Sequence, residues 1–225
     1  MVLIGDEGVD VRVVYIKKET KPTVEPMAKE LFDFNIERIN TIVNGCTLGD
    51  FLFESTCVQL DIVLLVSALE TYLKKRFVEL EHEGWDANFN ALCNKIFSSK
   101  YRERRKEEIE EKASSQGKSK LEVLVEEFRE MNFQDLDKCK RIYDSCYDIK
   151  INEIVSSQLM EKVKHFITFR HKIVHSVGDL TILNYDEIPM KTPIFANEKI
   201  LEEVRDTFVD FVKRVHEFTT SKTTR

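Results

Sequence analysis

Glycine and proline are scarce in this chain of 225 residues, with 7 Gly and 4 Pro. So few chain breakers exclude a collagenous sequence, a turn-punctuated all-β chain and a Pro/Gly-rich disordered one. Long apolar runs are missing too. The longest, Ile62 to Leu69, is closed by Asp61 and Glu70, far short of the ~20 residues that cross a bilayer. No secretory signal is expected, because Asp6, Glu7 and Asp10 interrupt the stretch where its apolar core would run. The five cysteines (46, 57, 93, 139 and 146) are odd in number and include no C-x-x-C pair. Cys57, Cys93, Cys139 and Cys146 fall at apolar positions of helical patterns, so they read as small core hydrophobes rather than a disulfide framework. The expected location is cytoplasmic, with no membrane partner. Positive charge is in deficit as well: 34 Lys+Arg against 40 Asp+Glu leaves −6. No global basic field recruits nucleic acid, although a local basic site is compatible with that balance.

What is present is helical periodicity. With 42% hydrophobic and 33% charged residues, the composition suits a helix-rich globular chain that buries one sizeable core. Residues 1–21 are the exception. Val9, Val11, Val13 and Tyr15 alternate in the manner of a strand, and Gly5 to Gly8 would turn a short hairpin. From Pro26, at the expected first helical position, Ala28, Leu31, Phe32, Ile36, Ile39 and Val43 form one helical stripe, broken by Gly45 and Gly49. The clearest helix follows, from Val58 through Ile62, Leu65, Leu69, Leu73 and Phe77 to Leu80, and Gly84 stops it. A short helix after Asp86 carries Phe89, Leu92, Cys93, Ile96 and Phe97.

Residues 99–118 change in character. Lys100 to Lys106 is basic, Glu107 to Glu111 acidic, and Ala113 to Lys118 reads as a flexible tip, so the segment is expected to be a solvated helical arm or loop insertion. A sharper reading lets its cations, Arg102, Arg104 and Arg105, reach an RNA backbone. Ser119-x-x-Glu122 is a capping box ahead of another helix, and a further short helix carries Leu136, Cys139, Ile142, Tyr143 and Cys146. A longer helix is expected from about Asn152 to about Ser176. Residues 180–185 read as a strand able to pair with the N-terminal one, and the last helix starts near Asn197. The expectation is an all-α antiparallel bundle with a small β element from the N-terminal segment and residues 180–185. Its divisions are 1–21 (β segment), 22–218 (one helical domain) and 219–225 (a flexible tail).

Most catalytic signatures are absent: no P-loop, no dinucleotide fingerprint, no nucleophile elbow and no H-E-x-x-H occurs. Three of the five histidines, His165, His171 and His175, lie within eleven residues, whereas His82 and His216 read as solvated residues on charged helix faces. His171 and His175 are four apart, within about 40° of each other on a helix. No carboxylate lies between them and no Cys/His pair follows, so no metal site and no cofactor are expected. Imidazoles and a guanidinium suit phosphodiester cleavage in RNA. One imidazole takes the 2′-hydroxyl proton, another protonates the leaving oxygen, and Arg balances the charge on phosphorus. Arg170 and His175 are five apart, about 140° around one helix. They converge more easily when two copies of the segment face each other across a dimer interface. Spacing by itself is weak support, since chance places roughly 0.3 Arg-x4-His pairs in a chain of this composition.

Context strengthens it. Arg170-His171-Lys-Ile-Val-His175 resembles the Arg-polar-x3-His motif of HEPN domains, a superfamily of all-α bundles with many metal-independent ribonucleases. Leu65-Val-Ser-Ala-Leu-Glu70-Thr-Tyr72-Leu is similar to the Ser/Ala-x-x-Glu-x-Tyr stretch that precedes the motif helix in several HEPN groups. The resemblance covers residues 26–218 in topology and is nearest to the bacterial defence and toxin–antitoxin groups. It implies catalysis by Arg170 and His175 with His171 beside them, support from Glu70 and Tyr72, weak RNA contacts through Lys172, and a homodimer. An antitoxin or defence-system protein is the implied partner besides RNA, docking on the N-terminal strand or on 99–118. From the residues themselves, Glu70 equally suits an ion pair with Lys74, and Tyr72 suits the core with its hydroxyl bonded. The superfamily also holds non-catalytic members, so the alternative is a module that binds a partner protein or a nucleotide without turnover.

Overall fold

A computed structural model of the chain describes residues 27–44, 51–175 and 198–221, with the side chains of 42–44, 51–55 and 198–201 left aside. Every regular element among these residues is a helix: α1 (Ala28–Asn44), α2 (Phe51–His82), α3 (Phe89–Ile96), α4 (Arg102–Gln116), α5 (Lys120–Glu127), α6 (Leu136–Tyr147), α7 (Ile151–Ile154), α8 (Ser157–His175) and α9 (Glu198–Ser221). The all-α expectation holds. Both stretches expected as strand, 1–21 and 180–185, lie outside the described residues, and the described residues contain no strand. The break at Gly45 and Gly49 and the role of Pro26 also lie outside.

Helix α2 is the axis of the bundle. Ile62, Leu65, Leu69, Leu73, Phe77 and Leu80 are all at most 2% exposed, and the helix packs against α1, α8 and α9. In length and composition Thr56–His82 would also cross a membrane. In this fold it is the core helix, enclosing the guanidinium of Arg76 and the carboxylate of Asp61. It ends as its sequence predicts: Gly84 takes φ +88°, its N–H donates to the Glu81 carbonyl, and that of Trp85 donates to Leu80.

Helix direction sets the topology of the described residues. Helix α1 lies antiparallel on α2, with Ala28 N–H donating to Glu79 and Phe32 packing on Tyr72 at 5.9 Å. Helix α9 instead runs in the same direction as α2, since Tyr72 meets His216 and Arg76 meets Thr219. It also runs with α8, through Lys162–Glu203 and Phe166–Phe208. The bundle is therefore antiparallel only in part. Two hydroxyls fix α6 against α2: Tyr143 donates to the Leu73 carbonyl at 2.7 Å and Tyr147 to the Phe77 carbonyl at 2.8 Å.

The charged 99–118 segment is an ordered arm. Ile109 and Ala113 are buried, so the expected flexible tip is instead the last turn of α4, closed by Gly117 at φ +65°. Helix α5 folds back along it. Lys112 pairs with Glu127 at 2.6 Å, Lys118 with Glu126, and Lys120 with Glu110. The capping box is complete: Glu122 N–H donates to Ser119 Oγ at 3.1 Å, and Ser119 N–H to Glu122 Oε2 at 2.7 Å.

The single helix expected from Asn152 to Ser176 is two. Val155 is extended (φ −112°, ψ 131°) and 2% exposed, and Ser156 Oγ accepts the N–H of Leu159 at 3.3 Å. Burying Val155 while capping the next helix with a serine hydroxyl outweighs one continuous run of backbone bonds. At the other end α9 continues to Ser221 with Thr219 fully buried, so the tail expected from 219 is helical as far as 221.

Candidate active site

Helix α8 is unbroken from Ser157 to His175, which sets the geometry of the motif. Phe166 and Phe169 bury one face against the core. Arg170, His171 and His175 follow at about 0°, 100° and 140° around the axis. Measured from Phe166, Arg170 lies about 40° round, at the edge of that buried face, while His171 and His175 lie about 140° and 180° round and point away from it. His171 and His175 are exposed, and their rings lie 4.4 Å apart between centroids at an angle of 58°. Arg170 is half-buried, and its Nε is enclosed without a hydrogen-bond partner. A guanidinium held like this among the described residues has donors left for an incoming anion.

Arg170 and His171 line an open groove of about 510 Å³. Its other walls are Val66 of α2, Ile167, Thr168 and Lys164 of α8, and the turn from Asn132 to Asp137 that opens α6. That turn is rigid for a local reason. Asn132 Oδ1 accepts the N–H of Gln134 at 2.9 Å, and Asp135 Oδ1 accepts those of Asp137 and Lys138 at 3.0 Å, capping α6. Lys164 reaches Asp137 at 3.2 Å and Glu161 at 3.3 Å. Lys140, and with it Lys164, holds the Asp137 carboxyl below its ordinary range by hydrogen bonding. The groove thus carries a carboxylate already matched by cations beside a guanidinium and an imidazole.

Two expected supporting residues part company. Glu70 accepts the side-chain amide of Gln134 at 2.8 Å, so it buttresses the groove wall, and no Glu70–Lys74 ion pair forms among the described residues. Tyr72, two residues on, points about 200° away from it. It is 1% exposed in the core, between Phe32 and His216, and does not reach the groove. Its hydroxyl finds no partner among the described residues, where a bonded core tyrosine is expected, and burial holds the phenol well above its ordinary range. His216 is also not the solvated residue expected. It is half-buried, its ring edge-on to Tyr72 at 6.2 Å, and burial assisted by Arg76 lowers its pKa.

The cations proposed for RNA are scattered. Lys172 lies about 200° around α8 from Arg170. Arg102 turns inward, donating to the Asn94 carbonyl at 3.3 Å. Arg104 and Arg105 line a different hollow on α4. The sequence reasoning missed Gln134, Asp135, Asp137 and Lys164. Only the helix-capping signal at Asp135 was readable in the sequence, and it says nothing of a site.

His82 is 57% exposed with Glu122 at 3.6 Å, as a surface histidine should be. Among the described residues no three His, Cys, Asp or Glu side chains converge as metal ligands.

Residues 50–220 match the family model described as RiboL-PSP-HEPN. The chain belongs to this HEPN family. No curated protein and no solved structure matches it. The matched span takes in α2 through nearly all of α9, so both the groove and the Arg170–His175 motif of this HEPN chain fall inside it.

Proposed function

We propose that this HEPN protein is a metal-independent endoribonuclease, cytoplasmic and homodimeric, in a toxin–antitoxin or phage-defence setting. The observation that supports it best is the Arg170 guanidinium, unpaired among the described residues, with two exposed imidazoles following it on α8. A phosphate seated at Arg170 meets donors that lose no existing partner among the described residues. One neutral imidazole takes the 2′-hydroxyl proton, and the 2′-oxygen attacks the adjacent phosphorus. The P–O5′ bond breaks, and a protonated imidazole gives its proton to the leaving oxygen. Arg170 balances the charge on the five-coordinate phosphorus. Products carry a 2′,3′-cyclic phosphate and a 5′-hydroxyl, and DNA, lacking the 2′-hydroxyl, is inert.

Arg170 and His175 diverge by about 140° on one helix, so this reading draws the second set of groups from the other protomer. His175 ends α8 and is exposed, in a position to cross to a partner. The test is incubation of wild type, Arg170→Ala and His175→Ala with total RNA and a tRNA pool in EDTA, with product ends mapped. Cleavage by wild type only, with cyclic phosphate ends, is expected. Equal cleavage by all three would overturn the assignment. No cleavage by a folded, dimeric wild type would favour the non-catalytic binding module. Growth arrest on expression, relieved by His175→Ala, tests the toxin setting.

A further inference from the structure

The arm formed by α4 and α5 divides its charge unevenly. Toward the tip the lysines are consumed: Lys112, Lys118 and Lys120 each pair with a glutamate across the hairpin. At the base, where α4 begins, Lys106 pairs with Glu103 at 3.2 Å and Arg105 with Glu108 at 2.8 Å, but not every cation is consumed. Arg104 is exposed and makes no ion pair among the described residues. The same holds for Lys95 on α3, and Arg141 on α6 bonds only a backbone carbonyl of its own helix, that of Asp137 at 3.1 Å. These three cations come from three helices, yet they line two adjoining hollows, Arg104 the first and Lys95 and Arg141 the second. Two hollows of about 490 and about 200 Å³ share Ile96 and Glu130 as walls. Of the two carboxylates there, Glu108 is already held by Arg105 at 2.8 Å and Lys112 at 3.2 Å. Glu130 remains against three open cations, a local excess of positive charge on a chain of net charge −6.

An aromatic ring stands at the rim. Tyr101 is 51% exposed although the neighbouring aromatic rings of Phe97, at the end of α3, and Phe128, at the end of α5, are buried. The Lys100 ammonium sits 5.2 Å from its ring centroid. An exposed ring flanked by cations offers stacking to a base and neutralisation to the phosphates on either side. An acidic peptide would use the cations and leave the ring without a partner.

We propose that the depression between α3, α4 and α6 is a second, non-catalytic site that binds single-stranded RNA, with Tyr101 stacking on a base and Lys95, Arg104 and Arg141 on the backbone. The choice of RNA rests on the ribonuclease reading given above. Helix α6 lies between the two sites: Leu136 and Asp137 wall the catalytic groove, while Lys138 and Arg141 wall this one. A strand crossing α6 would occupy both. The site holds substrate next to the point of cleavage and makes unpaired RNA the preferred form.

The experiment separates binding from cleavage. A fluorescein-labelled 12-nucleotide single-stranded RNA is titrated, with anisotropy as the readout, into His175→Ala and into the same chain carrying Tyr101→Ala, Arg104→Glu or Arg141→Glu. Thermal melts check folding, which these exposed positions leave intact. Tyr101→Ala should weaken binding about tenfold. Each Glu variant should weaken it further and reduce the steepness of the salt dependence. Unchanged binding in all three variants, or no binding by the parent, would overturn the site. So would a poly-glutamate peptide binding as tightly as RNA with the same variant sensitivity. If the variants lose RNA but the wild type cleaves nothing, the site stands and the ribonuclease reading fails. If wild type cleaves and the variants bind normally, the reverse follows.

Discussion

Asp61 offers a sharp test of the packing between α2 and α9. Its side chain is 1% exposed in the apolar body of α2, and neither carboxylate oxygen has a hydrogen-bond partner among the described residues. Burial pushes its carboxyl up from 3.8 to about 6, and the guanidinium of Arg205 on α9 only partly opposes this. A carboxyl raised on folding stabilises the native state fully below pH 3.8, and that contribution is lost as pH rises through about 6. At about 1.4 kcal/mol per pH unit, the interval from 3.8 to about 6 sets a ceiling of about 3 kcal/mol. Asp61→Asn has nearly the same shape and stays neutral throughout. At pH 4 variant and wild type should therefore melt close together. At pH 7.5 the variant should be the more stable, by up to about 3 kcal/mol, or about 6–12 °C in Tm for a chain of this size. That ceiling is already net of the opposing attraction of Arg205. The assay is differential scanning calorimetry of both proteins across pH 4–8. A gap that stays constant with pH would refute the reasoning. A wild type that gains on the variant toward pH 7.5 would show the Asp61–Arg205 attraction outweighing desolvation.

The other predictions concern buried groups of α2 and the thiols. Arg76 is fully buried, its fork on Glu83 at 2.5 and 2.8 Å, with Glu79 at 3.2 Å and Thr219 Oγ1 at 3.0 Å. Arg76→Ala leaves two neighbouring carboxylates uncompensated and should cost about 3–5 kcal/mol in urea denaturation, with Arg76→Lys recovering only part. A loss under 1 kcal/mol would show that the cluster is not cohesive. Burial raises the thiols of Cys93 to about 11 and Cys146 to about 12, and raises that of Cys139 further. Titration with a thiol reagent at pH 8 should find at most two of the five cysteines reactive in the native chain and all five in guanidinium. Three or more reacting at once would contradict the burial of these helix faces.

Local signals were written in the sequence and the fold obeys them. The apolar period of α2 and its stop at Gly84, the Ser119–Glu122 box, and the burial of Cys93, Cys139 and Cys146 all involve residues within a turn or two of each other or a plain preference for the interior. The Arg170–His175 motif and its family were legible for the same reason, being contiguous. The division of the helix at Val155 was not, because helical propensity runs through it. It is the burial of that valine, with Ser156 ready to cap, that decides the break. Tyr72 and Glu70, read together from one short stretch, separate because two residues on a helix face opposite sides and only the neighbours determine which side is the site. Gln134 and Lys164 enter the groove, and Lys95 and Arg141 join Arg104, only once helices distant in sequence are packed side by side. The chain by itself determined most of its helices, the helix boundaries marked by Gly84 and the Ser119 capping box, and its family. Tertiary structure decided which charges are buried, which are matched and which remain open to a ligand, because those energies depend on partners that sequence spacing does not encode.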